Sequence, residues 1–331
     1  MSFLWVWVLS LSSQTRICLA PMEGVIDAQM REVFTSLGGL DRCVTEFVRV
    51  TEQKIPEHVF FRYSPELLSG GTTESGVPVY TQLLGGNAKW MAVNAARLAK
   101  LEPPGIDLNF GCPSKTVNKR EGGSVLLKEP ARVKEIVASV RDAVAPSIPV
   151  TAKIRLGFSH MDDLEAIVEG VISAGANELC IHARTKEMAY KPPAHWHEVS
   201  RVSNLSSAKR IPIIINGDIW SADSAMQAIN VSGAQHLMLG RGALRMPDLA
   251  AQIKAYTKRE QYRALSWSEI LEVFIKYLAR SNNQHPRFVG NRAKQWLGFL
   301  KVTYPEAEMA FQLIKTLKEE KEVMRALRTL I

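Results

Sequence analysis

Short apolar runs recur along this chain with amphipathic stretches between them, and no other feature limits its fold as tightly. The runs cover residues 17–22, 43–48, 79–85, 106–110, 150–156, 178–183, 211–216 and 237–240. Between them, residues 27–37, 88–100, 131–144, 162–174 and 222–231 repeat apolar side chains at the spacing of one helical face. Strands alternating with helices predict βα units and parallel strands. Eight such units over about 230 residues suit a closed (β/α)8 TIM barrel, an α/β fold usually near 250 residues long. The competitor is a doubly wound open sheet, which would carry Gly-x-Gly-x-x-Gly after an early strand. The sequence has no such turn.

Polar residues gather at the C-terminal ends of the runs, the face on which a barrel builds its active site. They are Pro21-Met22-Glu23-Gly24, Glu46, Gln82, Asn109 with Cys112, Lys153 with Arg155, His182 with Arg184, Asn216-Gly217-Asp218 and Gly240-Arg241-Gly242. Any one of them could be a satisfied core group. Eight runs all ending this way is much harder to attribute to packing. Cys112 lies in a strand-ending turn, where Gly111 frees the backbone and Pro113 fixes φ. A free cysteine is most often a small buried residue, and the local sequence leaves both readings of Cys112 open. Asn216-Gly217-Asp218 and Gly240-Arg241-Gly242 follow the seventh and eighth runs, where barrels hold phosphate on backbone N–H groups. Lys153 can set a positive charge beneath a flavin ring, Gln82 can bond the ring edge, and His182 can reach ring or phosphate.

Beyond the eighth run the charge changes. The chain carries a net +8, and residues 247–331 hold 15 Lys and Arg against 9 Asp and Glu, or +6 of it. Helical spacing in 270–278, 292–300, 307–317 and 323–330 predicts a small helical domain there. Its cations point to a polyanion, with solvated helix faces as the plainer reading. Arg292 and Lys294, at the expected start of a helix after the loop 282–291, suit phosphate contact. The expected organisation is thus an atypical extension over 1–14, a barrel over 15–246 and a helical domain over 247–331. Residues 3–9 are apolar but lack a positive flank and fall short of the ~20 residues of a membrane span, so no membrane role is expected. Cys18, Cys43, Cys112 and Cys180 form no Cys-x-x-Cys pair, which predicts a reducing, cytoplasmic setting. No cluster completes a metal site around His195 and His197, and none is expected.

With these blocks assembled, the chain from about residue 17 onward resembles the tRNA-dihydrouridine synthases, most closely the subfamily acting on uridine 16 of the D-loop. The resemblance is carried, in order, by residues 20–25, by 107–114 (Asp-Leu-Asn-Phe-Gly-Cys-Pro-Ser), by 153–155, 181–185, 216–219 and by 240–242. The subfamily resemblance rests on residues 45–50 and 293–297. The family often has a second Cys where Phe110 stands, a departure that leaves Cys112 untouched. The resemblance implies a barrel that binds FMN, a helical tRNA-binding domain, and NADPH as reductant of the uridine 5,6 double bond. It implies that Cys112 is the general acid. It implies cofactor contacts from Pro21, Met22, Gln82, Lys153, His182, Asn216, Gly217, Asp218, Gly240 and Arg241, and tRNA contacts from Arg49, Asn109, Tyr190, Arg292 and Lys294. No obligate protein partner is expected, so the protein should act as a monomer. Three competitors stand beside this: another D-loop uridine, a flavin barrel acting on free pyrimidines, and a tRNA-binding protein without catalysis. The basic helical region argues against the second, and the intact Cys112 and Lys153 against the third.

Overall fold

The computed structural model describes residues 14–205, 207–280 and 286–330. The expected N-terminal extension, apart from Gln14, and residues 282–285 of the expected loop lie outside the described residues. In chain order the first elements are β1 (Ile17–Leu19), α1 (Ala28–Ser36), β2 (Arg42–Val44), β3 (Val48–Arg49), α2 (Glu57–Tyr63), β4 (Val79–Leu84), α3 (Ala88–Ala99) and β5 (Ile106–Asn109). They continue with α4 (Lys115–Asn118), α5 (Pro130–Ala143), β6 (Val150–Arg155), α6 (Leu164–Ser173), β7 (Glu178–His182), α7 (Trp196–Ser203), β8 (Ile213–Asn216), α8 (Ala222–Ser232) and β9 (His236–Leu239). Side-chain caps start several helices: Asp27 accepts from the Met30 N–H, Asn87 from Trp90, and Ser221 shares a capping box with Ser224.

Every pairing between these named strands is parallel, and β1 pairs with both β2 and β9, which closes the sheet on itself. This is the (β/α)8 barrel that the alternating runs predict. The second expected strand differs in one respect: it breaks into β2 and β3. Four residue steps separate Val44 from Val48, whereas their partners on β4, Tyr80 and Leu83, are three apart. The extra residue is a bulge, a device that re-aims a side chain at a sheet rim. Here the Thr45 hydroxyl takes the Gln82 N–H in place of a ladder carbonyl, at 3.0 Å.

Alternation along the strands sorts the core. Leu19, Leu108, Ile154, Ile181 and Ile215 face the surrounding helices. Cys18, Val44, Cys180, Ile214 and Met238 pack against one another in a separate inner cluster. At the base of the barrel Glu178 bridges Arg16 at 2.5 Å and Arg42 at 2.6 Å.

After the barrel come α9 (Arg241–Arg245), α10 (Leu249–Lys258), α11 (Trp267–Arg280), α12 (Pro286–Leu300), α13 (Glu306–Ile314) and α14 (Glu320–Arg328). α10 packs beside α8, and Lys254 ties it to Asp41 at 2.7 Å. Trp296 docks the later helices onto the barrel. It is 1% exposed, lies against Phe34, Phe274 and Tyr277 at 5.2–5.8 Å between ring centroids, and donates its indole N–H to the Leu244 carbonyl. α12 starts at Pro286, not at the expected Arg292, because proline's fixed φ suits a first helical position. No described helix is long and apolar enough to cross a membrane.

Candidate active site at the mouth of the barrel

A cavity of about 820 Å³ opens where the C-terminal strand ends meet. Its lining includes Pro21, Met22, Gln82, Lys153, His182, Asn216, Gly217, Asp218, Gly240 and Arg241, together with Cys112, Arg49, Asn109 and Tyr190. Arg292 and Lys294 are not among its lining residues. Residues two apart on a helix point in different directions. Accordingly Arg292 turns in to the Gly24 carbonyl and the Asp27 carboxylate, while Lys294 donates to the Leu317 carbonyl at 2.7 Å.

The loop after β5 is held from several sides. Asn109 Oδ1 accepts from the N–H groups of Gly111 and Cys112 at 2.9 and 3.0 Å. The Cys112 carbonyl accepts from Ser124 Oγ at 2.8 Å and Asn118 Nδ2 at 3.0 Å. Gly123 lies against this turn with φ +66°, and a Cβ there would meet the Cys112 carbonyl oxygen at 2.9 Å. From the far side Arg155 Nε donates to the Gly111 carbonyl at 2.8 Å. Its Nη1 reaches the carbonyls of Thr185 and Ala189, both at 3.1 Å. Cys112 is half-buried, unlike Cys18, Cys43 and Cys180. Burial pushes its thiol above the ordinary value, so it keeps its proton at neutral pH.

Lys153 stands in register with Asn109 on β5, and its ammonium donates to Asn216 Oδ1 at 3.1 Å. The Asn216 amide is held by the Met238 carbonyl at 2.8 Å. Burial lowers the Lys153 pKa, as expected of a cation drawn out of water. His182 is buried among Arg155, Lys153, Arg184 and Arg241, and burial and those charges hold it neutral, well below its usual pKa. Tyr190, half exposed, carries the guanidinium groups of Arg155 and Arg241 within 5.4 and 5.0 Å of its ring centroid.

Asp218 adopts a left-handed backbone at φ +53°, costly for a residue with a Cβ. Its carboxylate is pinned by Arg184 and by the Ala194 N–H at 2.8 Å, and it meets Arg241 at 3.5 Å. Asp218 therefore aims Arg241, and Arg184, seen at a strand end, serves beneath Asp218 and not in the cavity.

Glu23 and Glu46 also line the mouth. The Gly24 N–H donates to Glu46, and burial followed by the Glu23 charge raises the Glu46 pKa. Both glutamates and Arg155 stand at strand ends that the sequence marks as polar, but nothing in the sequence names their partners. Tyr63 from α2, Trp220 and Phe299 from α12 also line the wall, and no local signal distinguishes them from core aromatics. Among the described residues no group of His, Cys, Asp or Glu could hold a metal ion.

The dihydrouridine synthase family model matches residues 18–329. The chain is 44% identical over 303 residues to the tRNA-dihydrouridine(16) synthase of Vibrio parahaemolyticus, covering 91% of this chain and 92% of that one. It is 45% identical over 297 residues to the enzyme of that name from Pseudomonas putida, covering 89% and 91%. Among solved structures, 6-hydroxypseudooxynicotine amine oxidase from Pseudomonas geniculata N1 is similar in fold alone, with TM-score 0.54 at 11% identity. That likeness covers 74% of this chain and 47% of the oxidase, so the chain spans about half the length of that protein. A match from the first strand to the last helix, over all the strand ends that form this cavity, establishes that the chain belongs to the dihydrouridine synthase family.

Proposed function

We propose that this protein reduces the 5,6 double bond of uridine in the D-loop of tRNA to dihydrouridine, at position 16, with FMN as bound cofactor and NADPH as reductant. The observation that carries the reading is a thiol kept protonated by half-burial in a cavity whose wall also holds a half-buried ammonium, in a chain of this family. The tRNA-dihydrouridine(16) synthases at 44% and 45% identity support tRNA as substrate and uridine 16 as target.

The cavity suits a flavin mononucleotide. Lys153 has one hydrogen-bond partner, Asn216, among the described residues, leaving N–H groups to meet an electron-rich ring edge. At Gly217 a Cβ would crowd the His182 ring at 3.1 Å, so a glycine keeps this wall open. Arg241, aimed by Asp218, adds a cation for the phosphate beside the turn that opens α9. Pro21, Met22, Gln82, His182, Asn216, Gly240 and the backbone of Gly217 and Asp218 complete the assigned contacts. FMN, when bound, supplies the hydride, which it takes from NADPH.

Hydride arriving at uracil C6 places negative charge on C5 and the C4 oxygen, and a proton must then reach C5. Cys112 gives that proton and is restored from solvent. Asn109, whose amide lies beside the thiol loop, orients the base edge. The target base has to leave its stack to enter the mouth. Arg49 and Tyr190 receive its neighbours at the rim, and the basic region 247–331 holds the phosphate backbone. Lys294 takes part by exchanging the Leu317 carbonyl for phosphate, and Arg292 by releasing Asp27.

The test is position-resolved mapping of dihydrouridine in unmodified tRNA incubated with the protein, FMN and NADPH. Dihydrouridine confined to uridine 16 is the expected result. Formation at another D-loop position would reassign the tRNA contacts, and reduction of free uridine alone would replace the substrate. Cys112→Ala should retain flavin that NADPH reduces, while dihydrouridine formation falls by about 10²–10⁴-fold. Turnover equal to the parent would remove Cys112 from the acid role.

A further inference from the structure

Below the cavity the barrel interior holds a buried carboxylate, Asp107, that the reaction as derived does not use. Strand register places Gln82 beside Asp107 and Asp107 beside Thr151. The two-residue period of β5 turns Asp107 and Asn109 to the same side. Asp107 is 2% exposed. Its Oδ1 accepts from Thr151 Oγ1 at 2.5 Å and its Oδ2 from Gln82 Nε2 at 2.7 Å. Gln82 Oε1 accepts from Asn109 Nδ2 at 2.7 Å. Asn109 Oδ1, as described above, accepts from the Gly111 and Cys112 N–H groups. An unbroken line of hydrogen bonds thus runs from a buried carboxylate to the backbone of the thiol.

The line has only one workable direction. Backbone N–H groups can only donate, so Asn109 must offer them its oxygen and turn its nitrogen to Gln82. Gln82 must then accept with Oε1 and present Nε2 to position 107, where only an acceptor satisfies it. A side-chain amide has two orientations of nearly the same shape, and here the two ends of the line select one. A carboxylate closes it in either protonation state, because Oδ2 keeps a lone pair for Gln82 while Oδ1 and the Thr151 hydroxyl can exchange roles.

We propose that Asp107 is a positioning residue: as the fixed acceptor at the end of this relay it orients the Gln82 and Asn109 amides and, through Asn109, holds the Cys112 loop in its working place. The importance of that loop rests on the function proposed above, but the relay can be tested without turnover. Cys112 is the only one of the four cysteines that is not buried. Its rate of alkylation by iodoacetamide, read by peptide mass on the intact, flavin-loaded protein, therefore reports on the loop whether or not tRNA is a substrate.

Asn109→Asp keeps an acceptor for the two backbone N–H groups but, ionised at the mildly alkaline pH of the alkylation, leaves Gln82 between two carboxylates, so the relay breaks. Adding Asp107→Asn puts a donor at the far end and restores an unbroken line with Gln82 reversed. Alkylation of Cys112 should be at least about threefold faster in Asn109→Asp and return to within about twofold of the parent in the double variant. Asp107→Leu should behave like Asn109→Asp. Asp107→Asn alone can give its oxygen to Gln82 and its nitrogen to the Thr151 hydroxyl, and should match the parent. Equal rates in Asn109→Asp and the double variant would overturn the proposal, as would a parental rate in Asn109→Asp. If Asp107→Leu does not fold, the Asn109→Asp pair still decides. If the parent forms no dihydrouridine, the function is refuted and the alkylation result stands on its own.

Discussion

Cys112 can act as an acid only while it keeps its proton, and half-burial favours that form by raising its pKa. The sign is direct: a raised pKa extends the protonated range upward. Single-turnover uridine reduction should therefore stay level through neutral pH and fall only on the alkaline side of the ordinary thiol value near 8.5. A fall centred near pH 7 would assign the proton to another group. Cys18, Cys43 and Cys180 are unsuited to the role proposed for Cys112, being buried in strands; burial pushes the Cys180 thiol up to about 12. The difference in placement was legible in the sequence, since three cysteines fall inside apolar runs and one inside a Gly-Cys-Pro turn, while the local sequence left the reading of Cys112 itself open. Arg155 was not legible in the same way. Its position at a strand end is plain, but the carbonyls it holds lie about 30 to 44 residues away, on Thr185, Ala189 and Gly111. Only closure of the barrel brings them within reach.

At the scale of elements, the strand and helix periods of the sequence recur in the structure with small shifts at the ends, and the departures have local causes. The bulge between β2 and β3 is one: an added residue swings Glu46 toward the mouth, where the Gly24 N–H meets it. The longer α12 is another, and it changes the setting of Arg292 and Lys294 from a helix start to a helix interior. Docking of α12 depends on Trp296, whose ring fills the space between α1 and α11. Trp296→Ala should destabilise the protein by about 3–5 kcal/mol, measured by urea unfolding. A loss under about 1 kcal/mol would mean that other contacts carry the docking. The apolar spacing of α12 marks Trp296 as a core residue; nothing in it says that the core is shared with the barrel.

Across the whole molecule, the base of the barrel is pinned by Glu178 between Arg16 and Arg42, each more than 130 positions from Glu178 in the chain. Burial acts to raise the Glu178 pKa, but Arg42 and Arg16 outweigh it and hold the carboxyl below its usual value. A carboxylate lowered in the folded state stabilises above its unfolded pKa of about 4.3 and loses that contribution as pH falls through the folded value. Glu178→Gln should therefore cost about 3 kcal/mol at pH 7, leaving Arg42 buried without its partner. The gap between parent and variant should narrow as pH drops from about 5 toward 3, read from paired urea melts. A gap unchanged over that range would show that the carboxylate charge is not what holds the base.

The eight strand–helix units, the polar strand ends and the turn that carries Cys112 were determined by the sequence alone, because side-chain period and distance from a strand end are properties of consecutive residues. What each polar group meets was decided only by the tertiary structure. Asp107 reads as one more residue in a strand until register sets it between Gln82 and Thr151. Arg292 reads as a free cation until α12 docks it on Gly24 and Asp27. Such partners are chosen by closure of long stretches of chain and by which amide orientation leaves no buried donor unpaired, and neither is written in any local run of residues.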